Sequence, residues 1–314
     1  MKLWNRNLRS SLSIAAIGLI IGTPLFGYVS RKSVVTGGQI VIDKWAPSSF
    51  PITWRMNPTR GSNVTGSGDL EGAFRQAFQS WSAISTAAIA FTEAPMSAPS
   101  MKPALDQVNL ITTNLTAAEW AVFGVDAMSL TNVMSSVTTG QILDADIVFN
   151  PSIGFSTEST TAANQSDLQA FATHEIGHLL GLDHTPLVSA VMFPLAAGGS
   201  LSRTLTADDT IGVSTLYPTA AFAARGIIEG TVHTTSNLGV LGAIVVAVGQ
   251  NGQPLATTVT DPDGKYSIAG LPAGSYILFA EPMDGPFTEN SFLIPLSSLY
   301  PSKSVNINFT SRFH

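Results

Sequence analysis

Cysteine is absent from all 314 residues. Disulfides, thiolate metal ligands and a cysteine nucleophile are thereby excluded. Charge is scarce as well: Asp, Glu, Lys and Arg make up 11% of the chain against 45% hydrophobic types. Uncharged polar side chains must therefore cover much of the surface. The net charge of −6, with no basic run beyond the N-terminus, argues against nucleic acid as a partner. Histidine is also rare, at five residues, so its placement is informative. Three of the five fall in one stretch, "HEIGHLLGLDH", residues 174–184.

The length allows two domains, each with its own core. Lys2, Arg6 and Arg9 precede an uncharged run from Ser10 to Ser30 centred on "SIAAIGLIIG". This is the charged-then-apolar order of an export signal within residues 1–30, and left uncut it would tether the chain to a membrane. The chain is expected to be secreted or extracytoplasmic. Residues 31–44 read as a short linker.

From 45 to 218 strand and helix patterns mix. "SSFPITWRMNP" alternates like a strand, as do "VNLITTN", "AMSLTNVMSSV" and "ILDADIVFN". Leu70, Phe74, Phe78, Trp81 and Ile84 recur at helical spacing. "NQSDLQAFATHEIGHLLG" reads as a second helix, with Ser166 and Gln169 as a capping box and Gly181 as its stop. "LTADDTIGVSTLYP" reads as a third, opened by Thr206 with Asp209 three residues on. The fold class expected is α+β, with three helices. After a linker at 219–224, residues 225–314 switch to short alternating strands split by Asn-Gly, Asp-Gly and Pro-Ala-Gly turns, the pattern of a small all-β sandwich. Asp261 and Asp263 are explained there by turn formation.

On a helix, His174 and His178 lie on one face and can aim imidazole nitrogens at one point. Zinc suits such a pair, being tetrahedral with nitrogen ligands at about 2.0–2.1 Å. A left-handed Gly181 would turn the chain and return His184 as a third ligand. Glu175, beside the first ligand, suits a general base acting on a metal-activated water. The full H-E-x-x-H-x-x-G-x-x-H pattern is far more specific than a lone histidine pair.

With these residues in place, the stretch resembles the zinc site of metzincin metallopeptidases, and among them the matrixins. The resemblance implies a catalytic domain built as a twisted mixed sheet with three helices, and a zinc-dependent endopeptidase acting on proteins or peptides, with His174, His178 and His184 as ligands and Glu175 as the catalytic base. "SAVMFP" falls at the family's Met-turn, which would put Met192 beneath the metal. The segment lacks a tyrosine two residues after the methionine, unlike the astacin and serralysin branches. "LTADDTIGVSTLYP" is similar to the matrixin C-terminal helix, whose paired aspartates correspond to Asp208 and Asp209 and anchor the Met-turn. The wall of the specificity pocket would include Phe193, Pro194 and Leu195. The region 225–314 resembles a carboxypeptidase regulatory-like, transthyretin-type sandwich.

Some family features are missing. The other histidines, His233 and His314, lie outside the catalytic region, so a second, histidine-held zinc is not expected there. Calcium could be held through oxygens such as those of Asp144 and Asp146, although an ordinary surface position explains one of these alternating carboxylates more simply. No cysteine can block the zinc, and "RKSVVTGGQIVIDKW" is short for a prodomain, so activity without proteolysis inside residues 31–47 is expected, with Asp43 at the surface. A monomer is expected. The competing reading is an inactive, peptidase-like surface-binding or adhesion protein. It would have been favoured by loss of Glu175 or of a ligand, and all four residues are intact.

Overall fold

The computed structural model describes residues 28–158, 162, 164–194 and 203–313. Most of the N-terminal apolar run, Leu195 and His314 therefore lie outside the described residues. Among the described residues, no helix is long and apolar enough to cross a membrane. The chain divides into two compact units. One is built from residues 31–182 and 195–205, the other from residues up to 30, 183–194 and 206–314.

The first unit is organised around a five-stranded mixed sheet. Its strands are β1 (Ile52–Met56), β2 (Phe91–Glu93), β3 (Asn109–Thr112), β4 (Ser129–Ser135) and β5 (Ile142–Phe149), in the order β2-β1-β3-β5-β4. All pairings are parallel except that of β4 with β5. In β1 the alternating Ile52, Trp54 and Met56 are buried while Thr53 is exposed, which is a strand with one face on a core. Helix α1 (Leu70–Ser82) buries Leu70, Phe74, Phe78 and Trp81 along one stripe. Phe78 stacks on Trp54 at 4.5 Å and Phe74 meets Phe149 edge-on at 5.7 Å, so the stripe is fastened to the sheet.

Helix α2 (Leu168–Leu179) is buried along its whole length. It packs against α1, and Trp81 Nε1 donates to the Thr173 carbonyl at 2.8 Å. Its cap differs from the sequence expectation. Ser166 is occupied in a short parallel pairing with Phe155, and Asp167 caps instead, accepting from Ala170 N at 3.0 Å. Arg203 Nε holds the other Asp167 oxygen at 2.7 Å.

Residues 31–44, expected to be a linker, are folded. Lys32–Val34 and Ile40–Ile42 pair antiparallel, and Val35 and Asp43 are buried. Asp43 is thus not the surface residue expected. Arg31 lies 3.3 Å from its Oδ2 and Ser33 Oγ donates to the same oxygen at 2.6 Å, which offsets part of the cost of burial, although burial still raises the carboxyl's pKa.

The second unit contains α3 (Ala207–Leu216) and two antiparallel sheets. The strands are β6 (Gly226–Thr231), β7 (Ile244–Val248), β8 (Pro254–Val259), β9 (Lys265–Leu271) and β10 (Ile277–Glu281). β6 pairs with β9, while β8, β7, β10 and Arg312–Phe313 form a four-stranded sheet in that order. Asp261 Oδ1 accepts from the backbone of Asp263 and Lys265 at 2.9 Å each, and Gly264 takes φ +74°, so the Asp-Gly turn is built by local side-chain bonding. The core joins Val232, Val245, Ala256, Tyr266 and Leu278 to Ile211 of α3. The change of pattern near residue 219 therefore does not mark the edge of a compact unit. Residues 219–224, expected to be a linker, contain the short helix Ala220–Ala223 with Phe222 buried.

Candidate metal centre

His174 and His178 project from one face of α2, with ring centroids 4.7 Å apart and planes at 85°. Their Nε2 atoms are 3.0 Å apart. His178 Nδ1 lies 2.9 Å from the Leu182 carbonyl oxygen, which can only accept. Nδ1 therefore carries the proton and Nε2 presents a lone pair toward its neighbour. Two such atoms converge favourably only around a proton or a cation. Two nitrogens on a tetrahedral zinc stand about 3.3 Å apart, given bonds of about 2.0–2.1 Å.

The chain then leaves the helix through Gly181, at φ +91°. A Cβ there would lie 2.4 Å from the Asp43 carbonyl oxygen, so glycine answers both to conformation and to the approach of the N-terminal segment. Trp45 Nε1 donates to the Leu179 carbonyl at 2.7 Å, satisfying one acceptor that a helix end leaves open. Beyond the turn comes His184, and one ligand nitrogen each from His174, His178 and His184 lies within 4.8 Å of the others. Among the described residues this is the cluster of His, Asp and Glu able to hold a metal ion. Three imidazoles, with no fourth member of the cluster among the described residues, fit a zinc that keeps one position for a small ligand.

Glu175 is 3% exposed. Both of its carboxylate oxygens are held from the edge strand β4: Ser129 Oγ donates to Oε1 and Thr131 Oγ1 to Oε2, each at 2.6 Å. Thr131 Oγ1 also lies 2.8 Å from the Glu175 carbonyl oxygen. These hydroxyls set the carboxylate's orientation, and sequence reasoning missed them. Their signal was faint, two hydroxyl residues at i, i+2 and so on one face of a strand.

In the second unit Met192 is fully buried. Asp209 accepts from the backbone N–H groups of Val191 and Met192 at 3.0 and 3.1 Å, and it closes a capping box with Thr206. Asp208 accepts from Thr185 Oγ1 at 2.7 Å and from the backbone N–H of Thr257 at 2.6 Å. Phe193 is buried and Pro194 half-buried. Asp144 and Asp146, of which one was expected at the surface, are each 1% exposed. They accept from the backbone of Ala104, Asp106, Gln107 and Leu110, and so pin the loop before β3.

The residues 44–218 match the matrixin family and residues 227–284 the carboxypeptidase regulatory-like domain. The chain belongs to the matrixin family. Similar proteins include Metalloendoproteinase 1-MMP of Arabidopsis thaliana, 29% identical over 173 residues, covering 53% of this chain and 43% of that protein. Karilysin of Tannerella forsythia is 34% identical over 106 residues, 33% of this chain and 21% of its own. Matrilysin of Rattus norvegicus is 49% identical over 47 residues, 15% of this chain and 18% of its own. The chain thus spans less than half the length of these curated relatives. Matrixins bind zinc, and the three histidines of this matrixin fit that site.

The buried carboxyls imply a pH dependence. Burial, with the neighbouring Asp209 charge, raises the Asp208 pKa from 3.8 to about 7, and burial raises Asp146 to about 7 likewise. A carboxyl with a higher pKa folded than unfolded binds its proton more tightly when folded. Its contribution to stability is full below its unfolded pKa and is lost as pH rises through about 7. The melting temperature of the metal-free protein should therefore fall between pH 4 and 7, and Asp208→Asn should flatten part of that slope. An unchanged slope in Asp208→Asn would contradict the assignment.

Proposed function

We propose that this matrixin is an exported zinc-dependent endopeptidase that hydrolyses peptide bonds in proteins or peptides. The observation that carries the reading is the convergence of His174, His178 and His184, beside a Glu175 on the same helix whose carboxylate Ser129 and Thr131 hold. Zinc, when bound, supplies Lewis-acid polarisation of the scissile carbonyl and of the attacking water. His174, His178 and His184 would hold it. Glu175, kept in place by Ser129 and Thr131, takes the proton of the water and passes it to the leaving amine. Met192 provides an apolar floor, and Asp209 secures the turn that carries it. Phe193, Pro194 and Leu195 would contribute to the pocket that selects substrate side chains.

Export rests on the charged and apolar order at the N-terminus. Tyr28, Val29 and Ser30 are buried in the fold, so a leader that is removed would end before Tyr28. An uncut leader would leave the enzyme tethered. The alternative of an inactive, surface-binding relative is weighed by the same experiment. Purified protein should contain one zinc, cleave members of a peptide library, lose that cleavage to a chelator and recover it with added zinc. Hydrolysis that survives complete metal removal, or zinc-replete protein that cleaves no peptide, would refute the proposal.

A further inference from the structure

We propose that residues 286–293 form a strap that positions His184 for metal binding, an inference that rests on the zinc reading above. The strap lies outside both family matches, which end at 218 and 284. His178 receives its supporting carbonyl from Leu182, four residues away, whereas His184 receives its own from Ser291, 107 residues away. The Ser291 oxygen is 2.5 Å from His184 Nδ1. A carbonyl only accepts, so it holds the proton on Nδ1 and leaves Nε2 as the ligand atom. Without that partner the ring could rotate or change tautomer.

The strap is tied down at both ends. Leu293 N donates to Asp183 Oδ1 at 2.9 Å, and the same oxygen accepts from His184 N at 2.7 Å, which joins strap and ligand backbone at one carboxylate. On the other side Phe287 packs between Phe292 at 5.1 Å and Phe193 at 6.4 Å. Phe287 and Phe292 are both buried. Between these anchors the turn Glu289–Ser291 is closed by Thr288 N donating to Ser291 Oγ at 3.0 Å and Ser291 N donating to the Thr288 carbonyl at 2.9 Å. The turn fixes the direction of the carbonyl. Ser291 acts through His184 and is a positioning residue.

The test compares three full-length variants by zinc release. Phe287→Ala loosens an anchor of the strap. Val245→Ala makes a cavity in the β-rich core and serves as a stability control. Zinc loss to a chromophoric chelator should accelerate roughly tenfold in Phe287→Ala, the usual scale for losing support of a metal ligand. Val245→Ala, brought to the same distance below its melting temperature, should release zinc within twofold of the parent. kcat of the zinc-saturated Phe287→Ala enzyme should fall more than KM rises. Replacing 286–292 by a Gly-Ser segment of equal length should enlarge both effects. Parental release from Phe287→Ala, or equal acceleration in Val245→Ala, overturns the strap. A parent protein that holds no zinc instead overturns the zinc reading itself.

Discussion

Glu175→Gln should retain zinc and the fold while losing roughly 10²–10⁴-fold in turnover, the usual cost of removing a general acid–base group. Its partners explain why the fold should survive. Ser129 and Thr131 donate to the two carboxylate oxygens at 2.6 Å. A hydroxyl can turn to accept as well as donate, so both sides of a glutamine amide find a partner. The change therefore removes basicity with little loss of packing. Metal content, far-ultraviolet circular dichroism and kcat on one peptide would check it together. A variant with near-parental kcat would show that the base has been misassigned, and one that loses zinc would make Glu175 part of the metal's support.

Removal of residues 225–314 should abolish both soluble folding and hydrolysis. The sequence suggests the opposite, because the change from mixed to all-β pattern invites a cut there and domains usually carry their own cores. The core of the second unit argues against the cut. Ile211 of α3 is buried with Val232, Val245 and Leu278, all of which the truncation deletes. Asp208 would lose the Thr257 backbone N–H, and His184 the Ser291 carbonyl. Exposing one fully buried aliphatic side chain costs about 1.5–3 kcal/mol, and losing each polar partner adds about 1–3 kcal/mol where the group stays buried. Small domains have only about 5–15 kcal/mol of stability. A soluble 28–224 chain that unfolds cooperatively and cleaves peptides at the parental rate would place the boundary back at the sequence break.

What was legible in the sequence was local. The i, i+4 histidines, the glycine at the turn and the Thr206–Asp209 box depend on residues within one or two turns of each other, and helical geometry makes their mutual placement independent of the rest of the chain. The stripe of Leu70, Phe74, Phe78 and Trp81 was readable for the same reason. Where two local solutions competed, the neighbouring strand decided: Ser166 could cap α2, but its pairing with Phe155 passed that task to Asp167.

The sequence by itself determined the family, the histidine cluster suited to zinc and the order of α+β and all-β patterns, since each is carried by a short motif or a period. Tertiary structure alone decided the surroundings of those residues. Asp43 looks like a surface carboxylate, as does one of the pair Asp144 and Asp146, yet all three are buried, and Arg31, Ser33 and backbone N–H groups from other segments offset only part of the cost, since burial still raises their pKa values. Ser129 and Thr131 reach Glu175 across 46 and 44 residues, and Ser291 reaches His184 across 107. A hydroxyl or a backbone carbonyl is common to most of the chain and has no periodic signature, so only folding reveals which one is brought to a ligand or a base.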